Sequence, residues 1–443
     1  MDWENWFFIV AIISVLILIF PILDPTSSQI GNDHTYHALK LDLLLRHGFS
    51  NFPEIGNLGY EILIPPFLLL FYPLALLIGS RIAYYSIFLA IPFLIILLSK
   101  KLGISYRPLF AAILFPLNLA IFFYFGRTLE LVANIFLLLL FLYLDKKPRV
   151  SWSLLLFFLG MSSHLPTLAI YAIPLLLKSI EKKLHRHLVV WMVIFLTWMG
   201  LYLPGTLDKT GIILSRLEYG RLLVNSSIFS GFESLMLIGA MFLVFVLSLL
   251  FLKKERTYFF IPITLGIFQT LFWVFNISVF ENIPGVNQIV PFTPAIMISY
   301  FLWINKRALW QKFAYISFPL FFVGFIFATS SILVDVQNFD FIEGSYLFVS
   351  GCRNIVDPSC NRTSFGRPHL ENYLAYRGVD SPMSSTWEYS PPEYFFFYPE
   401  SCEDLTFDVN YFILDSFSFS WAQNCLGASE IQGFTVVPRN QVF

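Results

Sequence analysis

The chain of 443 residues is 57% hydrophobic and only 13% charged, against about 25% charged residues in soluble domains, which excludes an ordinary soluble enzyme. Its apolar residues, with 51 Phe, 21 Tyr and 10 Trp among them, run in blocks rather than alternating with polar ones, which excludes a water-filled β-barrel as well. The net charge of −1 hides an asymmetry: residues 333–443 carry 14 Asp and Glu against five Arg and no Lys, leaving 23 basic and 15 acidic residues in 1–332.

In chain order, apolar segments near 5–22, 82–99, 108–124, 129–144, 151–163, 166–178, 188–204, 234–252, 258–275, 289–304 and 313–332 read as membrane helices. The stretch 62–79 is apolar but broken by Pro65, Pro66 and Pro73. Short loops rich in Lys and Arg face the cytoplasm. The basic clusters are Lys100-Lys101, Lys146-Lys147-Arg149, Lys178 to Arg186, Lys253-Lys254-Arg256 and Lys306-Arg307-Lys312. All five share one side only if 62–79 lies in or on the outer interface without crossing. The sequence therefore predicts an α-helical polytopic protein of about eleven spans, with a cytoplasmic N-terminus and an external C-terminal region. The pair 151–163 and 166–178 is short for a hydrocarbon core of about 30 Å, and reads equally as two buried half-spans. The 5–22 segment follows Asp2 and Glu4 rather than a basic region and lacks a small-residue cleavage site, so it reads as a retained first span.

Two features agree with this topology. All four cysteines, Cys352, Cys360, Cys402 and Cys425, lie in the predicted external region, and an even number on the oxidising side reads as two disulfides with three possible pairings. The glycosylation sequons at Asn225, Asn276 and Asn361 also fall in segments that the charge rule places outside. Residues 333–443 mix β-type runs, Ser345–Ser350, Tyr411–Leu414 and Phe434–Val437, with turn-rich stretches, and predict a small extracytoplasmic α/β domain. Its aromatic clusters serve either as core and headgroup seat or as a sugar-stacking surface.

The spans contain almost no ionisable groups, so no proton relay or arginine ladder runs through them. No P-loop, dinucleotide fingerprint, zinc-protease motif or basic nucleic-acid patch is present. Attention falls on the first external loop, residues 23–61. There Gly31-Asn32-Asp33-His34-Thr35-Tyr36-His37 opens an apolar-rich helix that stops at Gly48. Asp33 is either an N-cap, its carboxylate accepting the first amide hydrogens, or a base held at the membrane surface. His34 and His37 share a helix face near Asp33, and a divalent metal on these three side chains is conceivable although no further ligand is visible. Arg81, Arg127, Arg216 and Arg221 are cations near the predicted external face, able to fork onto a phosphate or to anchor on headgroups. Asn287 and Gln288 precede the 289–304 span and are candidates for sugar or phosphate binding. His164, at a tight external turn, reads as a hydrogen-bonded structural histidine in preference to a ligand.

The order of these features resembles the GT-C superfold of integral-membrane glycosyltransferases. It comprises a first span, an external acidic residue opening an Asp-x-x-Tyr-His helix, the Ile64-Pro65-Pro66-Phe67 segment, and Gly79-Ser80-Arg81 leading into the next span. That group includes protein O-mannosyltransferases, the lipid A aminoarabinose transferase and the oligosaccharyltransferase catalytic subunit. As architecture the likeness extends over most of the chain, and as motif over about residues 24–130. It implies a catalytic acidic residue in the first external loop, here Asp33, and a second at the outer junction of the third and fourth spans, here Glu130 in Phe125-Gly126-Arg127-Thr128-Leu129-Glu130. His34 stands where several of these families carry a second carboxylate, which leaves divalent-metal dependence open. The Trp-Trp-Asp signature is missing, so en bloc glycan transfer to Asn is not expected.

The function expected is inverting transfer of a sugar from a polyprenyl- or dolichyl-phosphate donor to an acceptor hydroxyl on a glycan, lipid or protein at the outer membrane face. No nucleic acid is involved. Other classes that fit the composition are a noncatalytic subunit or glycan-binding protein on the same scaffold, and a lipid or glycan transporter.

Overall fold

A computed structural model describes residues 32–49, 54–57, 60–63, 65–114, 128–207, 257–260, 263–264, 292–312, 336–349, 408–414 and 435–441, with isolated positions between 370 and 379 and at 425. Helix dominates these residues. The elements in chain order are helix α1 (Asn32–His47), the antiparallel hairpin β1 (Glu54–Asn57) and β2 (Tyr60–Leu63), a 3-10 turn Pro66–Phe71, α2 (Tyr72–Ile78), α3 (Ser80–Leu102), α4 (Tyr106–Leu114), α5 (Thr128–Tyr143), α6 (Val150–Ser163), α7 (Leu165–Glu181), α8 (His185–Leu207) and α9 (Phe292–Asn305). Strands β3 (Tyr346–Val349), β4 (Tyr411–Leu414) and β5 (Thr435–Pro438) complete the series.

Helix α3 shows how the sequence sets its own boundaries. Gly79 precedes it at φ 87, ψ 152, a conformation open essentially to glycine alone. Its N–H caps α2 on Ala75 O (2.9 Å) while its carbonyl accepts from Ala83 N–H (3.1 Å), so one residue ends one helix and begins the next. At the other end Gly103 is left-handed. Gly103 N–H reaches Lys100 O (3.3 Å) and Ile104 N–H reaches Ser99 O (2.8 Å), the Schellman closure. Its 23 residues make about 35 Å of helix. Among the described residues this helix, over Ile82–Leu102, is long and apolar enough to cross a membrane; α5, α6 and the apolar part of α8 are shorter. The expected count of eleven spans therefore does not rest on the described residues, and the segments 5–22, 234–252 and 313–332 lie outside them.

The 62–79 stretch is not a continuous helix. Pro66 stands in the first turn of the 3-10 segment and Pro73 in the first turn of α2, where proline's missing N–H costs no bond. The 13 residues from Pro66 to Ile78 then double back on α3 at Gly79.

Helix α5 is the centre of the bundle, with Leu131 to Phe141 buried throughout and packed by α3, α6, α7 and α9. The outer faces are apolar instead of charged: Leu77 is 81% exposed, Phe93 74% and Val189 62%. Large apolar side chains left open on several helices are what a lipid-facing surface presents.

A second, separate core gathers Phe339, Ile342, Tyr346, Leu370, Tyr373, Leu374, Val379 and Ile413. Above it β4 pairs parallel with β3 (Tyr346 opposite Tyr411) and antiparallel with β5 (Tyr411 opposite Pro438). Asn410 pins the start of the parallel pair, its Oδ1 accepting from Ser345 N–H and Oγ (both 2.9 Å). Cys425 is disulfide-bonded. Cys352, Cys360 and Cys402 lie outside the described residues.

Candidate functional site

The expected site opens at α1, which begins at Asn32. Asp33 is thus the second helical residue, inside the first turn and not at the cap. A carboxylate there is still favoured by the exposed amide ends of the helix. For Asp33, His34 and Arg81 the backbone is described and the side chains are not. Arg127, Arg216, Arg221, Asn287 and Gln288 lie outside the described residues.

Ala38, Leu41 and Leu44 recur at helical spacing and bury one face of α1 against α2 and α3. Two contacts set the register. The His37 ring lies tilted on Tyr84 (centroids 5.8 Å). Five residues further on, Asp42 Oδ1 accepts from Ser80 Oγ at 3.2 Å, four residues back along α3. Arg46 pairs with the same Asp42 from one turn on. Advancing along α1 retreats along α3, so the two helices run antiparallel side by side. Extended from His37 to Asp33, this register sets Asp33 level with about residue 88 of α3, roughly 12 Å in from Ser80.

A second register brings in Glu130. Phe67 meets Phe136 of α5 at 6.3 Å. From Phe67 the chain climbs through the 3-10 turn and α2 to Gly79 before α3 returns, so Phe67 is level with about residue 93 of α3. Glu130 lies six residues before Phe136, in the first turn of α5.

Glu130 is 1% exposed and lies in the first turn of α5. Its carbonyl accepts from Asn134 Nδ2 at 2.9 Å, and Asn134 is fully buried one turn below. A third register adds His164. A Cβ at Gly160 would lie 2.6 Å from Leu137 Cγ and 3.5 Å from Ala133 O, so α6 meets α5 almost backbone to backbone there. One turn further on, past the 14 residues of α6, His164 comes level with the Glu130 turn. It is the one residue between α6 and α7, held by Nδ1 against Thr167 Oγ1 at 2.8 Å.

The His164 turn and the first turn of α5 that carries Glu130 therefore share one level, and Asp33 stands in the first turn of α1, which packs on α3. Chemically the described residues set a buried carboxylate, Glu130, and a hydrogen-bonded imidazole, His164, at one level of the bundle. Sequence reasoning named Asp33 and Glu130 but passed over Asn134, whose i, i+4 spacing from Glu130 was a usable signal. Among the described residues no group of three or more His, Cys, Asp and Glu side chains is arranged to hold a metal ion. Compared with known proteins, the chain matches no family model, no curated protein and no solved structure.

Proposed function

We propose that the chain is a membrane-embedded inverting glycosyltransferase that takes a sugar from a polyprenyl- or dolichyl-phosphate donor and gives it to an acceptor hydroxyl at the outer membrane face. The observation that carries the reading is the Glu130 carboxylate buried in the first turn of α5, level with the His164 turn, within a bundle whose exposed faces are apolar. A lipid-linked sugar has its tail among the acyl chains and its phosphate at the interface. It needs a site that is polar, recessed and reachable sideways from lipid.

In this reading the acceptor hydroxyl attacks the anomeric carbon on the face opposite the phosphate. The bond from that carbon to the phosphate oxygen breaks, its electron pair leaves with the polyprenyl phosphate, and the configuration inverts. Asp33 receives the hydroxyl proton. Glu130, buried in the first turn of α5, orients the acceptor or sugar hydroxyls by accepting their hydrogen bonds. Arg81, at the outer end of α3, and Arg127, three residues before Glu130, are the cations proposed to meet the leaving phosphate, with Arg216 and Arg221 from the following external loop. His34, His37, Asn287 and Gln288 complete the proposed set.

The test uses the purified full-length protein in detergent with a polyprenyl-phosphate sugar and measures release of polyprenyl phosphate. Asp33→Asn keeps a helix-favouring polar residue but cannot take the proton, and the expected loss is about 10²–10⁴-fold. Glu130→Gln is expected to lower turnover as well. Wild-type transfer in both variants refutes the catalytic assignment. Lipid-linked sugar that moves only across sealed vesicles, unchanged chemically, identifies a transporter instead.

A further inference from the structure

The opposite end of the bundle carries a second feature that the transfer chemistry does not use. Helix α5 ends in Asp145-Lys146-Lys147 and helix α7 in Glu181-Lys182-Lys183, the same acidic-Lys-Lys turn twice. In each, the second lysine is left-handed, Lys147 at φ 55 and Lys183 at φ 56. Glycine is the ordinary residue for that conformation, so each turn keeps a cation where the backbone would sooner have none.

The two turns lie side by side. Asp145 Oδ2 accepts from Lys178 Nζ at 2.6 Å, and its other oxygen is 3.5 Å from Lys182 Nζ. His187 Nε2 meets Pro148 O at 3.2 Å. The acids of the cluster are turned to internal use: Asp145 holds the buried Lys178, and Glu181 accepts from Tyr258 Oη. Lys146, Lys147, Arg149, Lys183 and Arg186 remain exposed, and among the described residues no carboxylate pairs with them. Immediately below them the surface is apolar and open. Leu176, Leu177 and Ile180 lead up to Lys182-Lys183 on α7, and Val189, Met192 and Val193 lead away from Arg186 on α8.

Cations over open aliphatic faces have the shape of a lipid with a negative headgroup. We propose that the paired turns at Asp145–Arg149 and Glu181–Arg186 bind an anionic phospholipid of the leaflet they face, with its phosphate on Lys147, Lys183 and Arg186 and its acyl chains along α7 and α8. This goes beyond the transferase reading and stands without it, needing only that the bundle sits in a bilayer.

The test compares lipid retained by the full-length protein from micelles of phosphatidylcholine alone and phosphatidylcholine mixed with phosphatidylglycerol, read by native mass spectrometry. Wild type should enrich phosphatidylglycerol, and added salt should weaken the enrichment. A cation near an anionic surface is worth about fivefold in affinity, so Lys182→Gln/Lys183→Gln/Arg186→Gln should cost on the order of 100-fold. Lys147→Gly/Lys183→Gly removes two charges while giving both turns the residue their backbone prefers, and should fold at least as well as wild type yet lose about 25-fold. Lys100→Gln/Lys101→Gln, at the end of α3, should leave most of the preference in place. Unchanged enrichment in the glycine variant overturns the proposal, as does an equal loss in the α3 variant or equal binding of inorganic phosphate alone.

Discussion

The α5–α6 crossing at Gly160 fixes the height of His164 relative to Glu130, and it can be perturbed by a single methyl group. In Gly160→Ala the new Cβ would sit 2.6 Å from Leu137 Cγ and 2.7 Å from Leu137 Cδ2, about 1 Å inside ordinary carbon contact. Leu137 is fully buried and its Cγ is a branch point near the backbone, so α5 or α6 must shift. Overpacking of this kind costs about 1–3 kcal/mol. Alanine's better helix propensity returns about 0.5–1 kcal/mol, leaving a net loss of roughly 0–2.5 kcal/mol by the difference of those two terms. The decisive arm is the double variant. Leu137→Ala alone opens a cavity and is expected to cost about 2–5 kcal/mol, whereas Gly160→Ala placed in that background fills it. The same substitution should therefore lower the thermal midpoint in wild type and raise it in Leu137→Ala, with a coupling of about 0.5–3 kcal/mol. Tryptophan fluorescence of the purified protein during heating in detergent reads both. Strict additivity, or a higher midpoint for Gly160→Ala alone, refutes the close approach of α5 and α6.

The Asp145–Lys178 pair should be asymmetric, because the Lys178 side chain is 4% exposed and Asp145 46%. Asp145→Asn leaves a buried ammonium without its carboxylate and should cost more, about 2 kcal/mol or above, than Lys178→Met, which replaces the cation by an apolar chain over Phe141 and should stay within about 1 kcal/mol of wild type; the reverse order of midpoints refutes this. Cys425 should resist maleimide labelling in the unreduced protein. Cys425→Ser should free one thiol, which peptide mapping will assign to Cys352, Cys360 or Cys402, at a cost of about 2–5 kcal/mol to the small domain.

Much of the local structure was legible because local rules decide it. Gly48 and Gly103 stop α1 and α3 with positive φ as helix-terminal glycines should. The β-type runs at 345–350, 411–414 and 434–437 correspond to β3, β4 and β5 within a residue at each end, and α6 and α7 follow the two short apolar segments closely. His164 makes the hydrogen bond expected of a structural histidine. What was not legible depends on contacts distant in sequence. Nothing in the Tyr346 or Tyr411 segments announces that they pair parallel. The upright stance of α1 depends on His37 finding Tyr84 and Asp42 finding Ser80, a register that helical periodicity cannot supply. Lys40 is buried, where a lysine in an amphipathic helix ordinarily reads as solvated. The candidate site was half visible: its two carboxylates stood out by position, but the burial of Glu130 and its level with His164 emerge only from the packing of α6 on α5.

The α6–α7 hairpin turns after 14 residues, about 21 Å, while the hydrocarbon slab of a typical bilayer is about 30 Å thick. If the bundle sits in a bilayer as proposed, lipids beside His164 must either dip toward it or leave water in the remaining gap, and the elastic cost of that dimple grows with the thickness of the bilayer. Chain length of the surrounding lipid thus becomes a control on this protein without any contact to the site. On that reading short-chain bilayers relax the dimple and long-chain ones strain it.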